Sequence, residues 1–370
     1  MTETTDRDWL ALSLVPGLGP AGFRRLLDTF GSPAGVFGAS AKELRQVPGL
    51  RPEAAAALVA GPPRREAEAE MASLARLGIR MLRFGSEDYP ARLAAIYNPP
   101  MLLFVNGSTA LLHRPALAVV GSRAATSYGL KIAHDLSARL AGQGLVIVSG
   151  LALGIDAAAH RGVLEAGGGT VAVLGCGLDV RYPKANWRLA EKIESQGALV
   201  SEYRLATPPD AFRFPARNRI ISGLCRGVLV VEAAQRSGSL ITARLALEEG
   251  REVFAIPGRV DSAKSAGTHR LLREGAKLVS GIDDILEELG PWPETTPPPG
   301  TPAARGEEST AALSPEARLV LGLLEVYPQP IDTIINQARL GAAKVNEVLL
   351  QLELHGLIEA LPGQRYRALS

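Results

Sequence analysis

Cysteine is nearly absent from this chain of 370 residues, and the two that occur, Cys176 and Cys225, stand in no CxxC or Cys/His spacing. That leaves no basis for a disulfide framework or a zinc site, and both read as buried thiols. No uncharged apolar run reaches the roughly 18 residues that a membrane span needs, and the basic, apolar, small-residue series of a secretory signal is missing. A cytoplasmic protein is expected. Nor does one charge dominate: 40 Lys and Arg stand against 38 Asp and Glu, a formal net charge of +2. A polyanion site must then be local, built where arginines gather. The apolar share of 46% and charged share of 21% are those of a soluble globular protein, long enough for two or three domains.

Four zones separate by pattern. In residues 1–80, helical periodicity is broken twice in the same way, by VPGLGPAGFRRLL from Val15 and by VPGLRPEAAAAL from Val47, an internal repeat of about 32 residues. The spacing resembles a helix-hairpin-helix, in which a glycine turn leaves backbone N–H groups free for a phosphate. A plain connection between helices fits equally, because Arg51 replaces the second glycine in the second copy.

Residues 81–289 alternate short apolar runs with helical stretches. The runs are 117–120, 145–148, 170–174, 198–203, 228–232, 252–256 and 276–279, and helices are expected at about 126–141, 156–166, 185–196, 215–224, 239–249, 267–274 and 282–289. Strands that are apolar on both faces and alternate with helices predict an α/β doubly wound parallel sheet. In such sheets ligands bind beyond the carboxyl ends of the strands.

Residues 290–312 are rich in Pro, Thr and Ala and read as a flexible linker. The stretch 313–370 opens on a Ser314 N-cap and Pro315 and predicts three helices and a hairpin, the plan of a winged helix. Its helix over 342–355 holds Lys344 against Glu347 and Glu353. That balance favours protein docking or simple packing over duplex reading.

The loops after the runs are where chemistry is expected. LAVV leads into GSRAATSYG, a turn without the later glycines of a dinucleotide fingerprint: Gly121 lets backbone approach a ligand, Ser122 offers a hydroxyl and Arg123 a planar fork for phosphate. LVIV leads into SGLALGIDAAAH, where Ser149 and Gly150 add a second small-residue loop, Asp156 reads as an N-cap and His160 as a packed or surface histidine rather than a catalytic one. Arg181 and Lys184 follow the third run. After ALVSEY, the stretch AFRFPARNRIISGL interleaves Phe212 and Phe214 with Arg213, Arg217 and Arg219, the pairing of stacking rings and phosphate contacts that single-stranded nucleic acid requires. Ser237, Gly238 and Ser239 open one more helix, and Glu232 is expected to bond a neighbouring loop or Arg217.

These loops, together with YPARLAAIYNPPMLLFVNG (Tyr89 to Gly107), SGSLITARLALEEGREVFAIPG and GTHRLLREGAKLV (Gly267 to Val279), resemble the DNA-processing protein A (DprA/Smf) family of natural transformation. The resemblance covers the whole central zone. It implies an extended Rossmann-like sheet with an N-terminal sterile-alpha-motif-like domain and a C-terminal winged helix. It also implies single-stranded DNA held in a basic pocket, without catalysis, cofactor or metal, dimerisation through the Rossmann domain, and delivery of the DNA to the recombinase RecA. The family's DNA contacts fall here on Gly121, Ser122 and Arg123 and on Phe214, Arg217 and Arg219, with Lys184 and Arg251 as further basic positions. Ala216 stands where a basic residue is common, and Cys225 where a serine is common. A different function, a nucleotide hydrolase of the phosphoribohydrolase type with Glu232 as its base, would need a PGGxGT loop, and SGSLITA occupies the comparable place.

Overall fold

The computed structural model describes residues 6–290, 314–324, 329–338, 340–355, 357–361 and 363–368. They belong to two compact units, which part between Pro297 and Pro298. Apart from Gly290, the linker expected over 290–312 lies outside the described residues.

The first unit begins with six helices, α1 (Asp6–Ser13), α2 (Pro20–Phe30), α3 (Pro33–Gly38), α4 (Ala41–Gln46), α5 (Pro52–Ala60) and α6 (Arg64–Arg76). Each half of the repeat turns on a left-handed glycine, Gly17 at φ 74° and Gly49 at φ 69°, and each next helix starts on a proline whose missing N–H costs nothing there. Leu12, Phe23, Leu26, Val36, Leu44 and Leu58 form a small core that also takes in Met101 from beyond the helices. Leu10 of α1 and Leu74 of α6 are instead buried with Phe104, Leu174 and Leu199, so the helical part and the sheet share apolar packing.

The chain continues through β1 (Arg80–Arg83), α7 (Ala91–Ala94), β2 (Leu102–Gly107), β3 (Ala116–Val120), α8 (Ser127–Gly142), β4 (Val146–Ser149), α9 (Ile155–Glu165), β5 (Thr170–Leu174) and α10 (Trp187–Gln196). Then come β6 (Ala198–Ser201), α11 (Arg213–Leu224), β7 (Gly227–Val230), α12 (Ser239–Glu248), β8 (Glu252–Ala255), α13 (Ala266–Arg273), β9 (Lys277–Leu278) and α14 (Ile282–Leu289). They make one nine-stranded sheet in the order β1-β2-β6-β5-β4-β3-β7-β8-β9. From β6 to β9 the pairing is parallel, as the apolar runs predict.

The sheet as a whole is mixed, which corrects the all-parallel expectation: β2 runs antiparallel to β6, and β1 antiparallel to β2. The connection from β1 into β2 holds only the four-residue α7, too short for the crossover that a parallel pair needs, and antiparallel pairing does not require one. Successive residues of β3 face opposite layers. Ala116, Ala118 and Val120 pack with Ile220 and Ile221 of α11 and Ala243 of α12, whereas Leu117 and Val119 pack with Leu136 of α8, Val163 of α9 and Ile285 of α14. Burying each such Leu or Ile contributes about 1.5–3 kcal/mol, so a strand apolar on both faces is held from both sides.

The strand order reverses at β3. The chain leaves β3 toward β4 and comes back to its other side only with β7, so the loops after β3 and β7 part and leave a crevice between them.

The second unit holds α15 (Pro315–Leu323), β10 (Gln329–Pro330), α16 (Ile331–Ala338), α17 (Ala342–Leu354), β11 (Ile358–Leu361) and β12 (Arg365–Ala368), with the sheet order β10-β12-β11. It is a winged helix. Ser314 Oγ accepts the Ala317 N–H at 3.1 Å, the cap read from the sequence. Lys344 is paired with Glu347 at 3.0 Å on α17.

Candidate nucleic-acid interface

The crevice at the switch point opens into a cleft of about 920 Å³. The β3–α8 loop supplies Gly121, Ser122 and Arg123, the β7–α12 loop supplies Arg236, Ser237 and Gly238, and Phe214, Arg217 and Asn218 come from α11. Three segments far apart in sequence thus meet because parallel strands end side by side.

The β3–α8 turn is held rigidly. Ser122 N–H donates to the Glu232 carbonyl at 2.7 Å, and the Ser122 carbonyl accepts the Ile155 N–H at 3.2 Å. A Cβ on Gly121 would stand 2.6 Å from Ile155 Cγ1 and 2.9 Å from the Glu232 carbonyl, so only glycine lets the three elements close. The carboxylate of Glu232 accepts the Thr126 N–H at 2.9 Å and the Thr126 hydroxyl, while Thr126 Oγ1 caps α8 by accepting the Gly129 N–H at 3.1 Å. Glu232 therefore bonds the neighbouring loop, one of the two partners expected for it.

Arg123 is left exposed above this turn. Its guanidinium carbon lies 5.5 Å from the centroid of the Phe214 ring, and Tyr182 is stacked on the same ring at 5.5 Å between centroids with 27° between planes. The half-buried ring of Phe214 is thus in contact with both a cation and a second aromatic.

Beneath the cleft lies a buried polar layer. Asp156 Oδ2 accepts the N–H groups of Gly150 at 3.1 Å and Ala152 at 3.4 Å, and Arg217 Nη1 donates to the carbonyls of Gly150 at 2.9 Å and of Val173. Both ends of the Gly150 peptide are therefore taken, one by each charge. A Cβ there would come within 2.5 Å of the Arg217 guanidinium. Burial pushes the Asp156 carboxyl above its ordinary range, with Arg217 opposing, and burial lowers Arg217, with Asp156 opposing. Asp156 is the second residue of α9 and satisfies the loop before that helix, which refines its reading as an N-cap. Of the two places read for it, packed or at the surface, His160 takes the first: Thr170 Oγ1 accepts from its Nδ1 at 2.7 Å and donates to the Ile147 carbonyl at 2.7 Å. Burial, then Arg217 and Arg161, depress its pKa to about 3.

Several positions picked from the sequence are not available at the rim. Ser149 is fully buried, its hydroxyl donating to the Val119 carbonyl at 2.6 Å. Gly150 has its peptide consumed as described. Arg217 is only 5% exposed and lies in the floor, because it falls on the inward face of α11. Arg219, two residues on, turns to the opposite side and pairs with Glu202 at the end of β6, both largely buried. Arg251 precedes β8 and so lies at the amino end of the strands, donating to the Arg92 carbonyl at 3.1 Å. Lys184 is exposed in the β5–α10 loop and does not line the cleft. Gly121, Ser122, Arg123, Phe214, Ser237 and Gly238 do.

The sequence reading missed Tyr182, Asn218 and Arg236. The rule that ligands lie after strand ends was enough to flag Tyr182 and Arg236, each in a loop already singled out. Asn218 had no signal of its own; its amide reaches the Gly238 carbonyl at 3.4 Å and ties α11 to the β7–α12 loop.

Among the described residues no helix is long and apolar enough to cross a membrane. Comparison with known proteins agrees with the geometry at each zone. Residues 80–290 match the family model described as DNA recombination-mediator protein A, 301–364 match the DprA winged helix domain, and 10–61 match a SAM-like helix-hairpin-helix tandem. The chain is 44% identical to Protein Smf of Escherichia coli (strain K12) over 304 residues, covering 81% of this chain and 80% of that protein. It is 54% identical over 201 residues to DNA processing protein DprA of Streptococcus pneumoniae (strain ATCC BAA-255 / R6), covering 54% of this chain and 71% of that one. Among solved structures, DprA from Streptococcus pneumoniae superposes with a TM-score of 0.67 at 42% identity, over 77% of this chain and 98% of that one. DNA processing protein A from Helicobacter pylori, whose structure describes a single-stranded DNA binding mode, gives a TM-score of 0.52 at 33% identity, over 57% of this chain and 95% of that one. With the mixed sheet, both flanking domains and the matching sequence along most of its length, the chain belongs to the DNA recombination-mediator protein A (DprA/Smf) family.

Proposed function

We propose that this protein captures single-stranded DNA without sequence preference in the switch-point cleft. One observation carries the reading: an exposed guanidinium, Arg123, stands over an aromatic ring, Phe214, at the open end of a parallel sheet. Rings present a face to every base alike, and guanidinium groups hold phosphates, so the combination favours a single strand over a duplex whose bases are stacked inside. The Helicobacter pylori relative with its single-stranded DNA binding mode supports the same ligand.

The description of the family as a recombination mediator supports delivery of the bound strand to a recombinase, RecA, in the cytoplasm during natural transformation. A homodimer through the Rossmann domain completes the proposal; β9 is an edge strand whose Leu278 is 48% exposed, a surface that a second copy could cover. No catalytic step is proposed, since the buried carboxylate that a hydrolase reading would use, Glu232, is engaged by Thr126.

Titration of oligo-dT in a mobility-shift assay tests the site. Arg123→Ala is expected to weaken binding about tenfold or more and to lower the salt slope by about 0.7, the share of one phosphate on a single strand. Equal affinity of the native protein for blunt duplex, or no dependence on salt, would refute the proposal. Mass determination with and without DNA separates binding from assembly.

A further inference from the structure

The segment that leads from β6 into α11 is a ridge with a cavity on each side. Pro209, Asp210, Ala211 and Phe214 line the switch-point cleft, while Thr207, Phe212 and Arg213 line a second groove of about 390 Å³. Phe23 of α2 and Phe104 of β2 lie in that groove, and its far wall is the first Pro-Gly-Leu hairpin, through Leu18, Gly19 and Pro20.

Phe212 is 65% exposed, a large apolar ring left in solvent on a rigid mount. Its mount is Arg213, whose guanidinium carbon lies 5.1 Å from the Phe212 centroid and 5.3 Å from that of Tyr203, and whose Nη1 donates to the Pro208 carbonyl. A ring backed by a fixed cation repeats, on the other side of the ridge, the arrangement of Arg123 with Phe214. The acid in the groove, Glu202, is already paired with Arg219, so Arg204 and Arg213 leave the groove basic.

From these observations we infer that the groove is the next stretch of the DNA path, with a base stacked on Phe212 as the strand crosses the ridge. The inference rests on the single-strand reading of the first cleft. Phe212 and Phe214 are two residues apart, so their backbones lie within about 7 Å, a span of about two nucleotides at roughly 3.4 Å each along one strand. Their rings line opposite sides of the ridge, which means a short oligonucleotide fills one cavity and only a longer one reaches both.

Fluorescence anisotropy with labelled oligo-dT from about 4 to 16 nucleotides tests this directly, because that range spans the site sizes of known single-strand grooves. Phe214→Ala is expected to weaken binding at every length. Phe212→Ala is expected to leave the shortest oligonucleotides unaffected and to remove the gain in affinity of the longer ones, by about 5-fold or more, with Phe212→Trp restoring it. If Phe212→Ala binds all lengths like the native protein while Phe214→Ala is weakened, the groove is not on the path and the first cleft stands alone. A loss from Phe212→Ala that is equal at every length also overturns the inference. If neither variant is weakened, the single-strand reading of the first cleft falls, and this one with it.

Discussion

Arg123 and Arg217 meet at the same cleft and do opposite work. Arg123 stands in solvent over Phe214, with its fork free to meet a ligand, whereas Arg217 is 5% exposed and holds the carbonyls of Gly150 and Val173 from below. The rim presents side chains to water on a backbone that is held in place, and the layer beneath it is made of groups that have exchanged water for protein partners. Pre-organisation of the rim depends on that layer: Gly150 and the loop after it are held by Asp156 and Arg217, and the GSR turn by Glu232 and Ile155. Charge in a cleft is therefore no measure of charge offered to a ligand.

The sharpest way to break this comparison is Arg217→Met. It leaves the buried carbonyls of Gly150 and Val173 without their donor and removes the charge that opposes the burial of Asp156, so stability is expected to fall by about 1–3 kcal/mol for each carbonyl in urea denaturation. DNA affinity should suffer only in proportion to unfolding; full stability with lost affinity would move Arg217 to the rim. Phe214→Ala acts on the other side of the divide. It is expected to cost about 1–3 kcal/mol of binding to oligo-dT, with little change in the urea midpoint.

A smaller effect belongs to the buried layer alone. His160 takes up its proton near the ordinary value of 6.5 when unfolded but only at about 3 when folded, so its contribution is intact above pH 6.5 and is lost as pH falls from there toward 3. Unfolding free energies from urea titrations between pH 7 and 5 should fall by up to about 1.4 kcal/mol per pH unit from this group, and His160→Gln should flatten the slope by up to one proton. An unchanged slope in the variant would remove the histidine from the account. The smallest effect is expected from ending the chain at Gly290, since the lysine of α17 is engaged by Glu347. Oligo-dT affinity should then change by less than about twofold.

Much of the fold was legible. Runs such as TVAVL, buried at all five positions of β5, announce strands covered on both faces, and Ser314 with Pro315 announces the start of α15. The strands β1 and β2 were not legible, because RMLR begins and ends on arginine, LLFVNG ends on polar Asn106 and Gly107, and the four-residue α7 between them does not give the strand-helix-strand alternation of the later runs. For the site, the loops were found and the duties within them were not. Phe212, Arg213, Phe214, Arg217 and Arg219 look alike in sequence, yet they divide among the groove, the cleft, its floor and an ion pair with Glu202.

The sequence by itself determined the alternation of strand and helix, the glycines at turns that exclude a Cβ, and the loops in which basic and aromatic residues gather. These follow from local sterics and from the period of apolar residues, which act over a few positions. Only the tertiary structure decided which arginine faces water. On α11 that depends on helical phase against neighbours from β4, β5 and β6, and a buried guanidinium is tolerated only where distant carbonyls and carboxylates come to meet it.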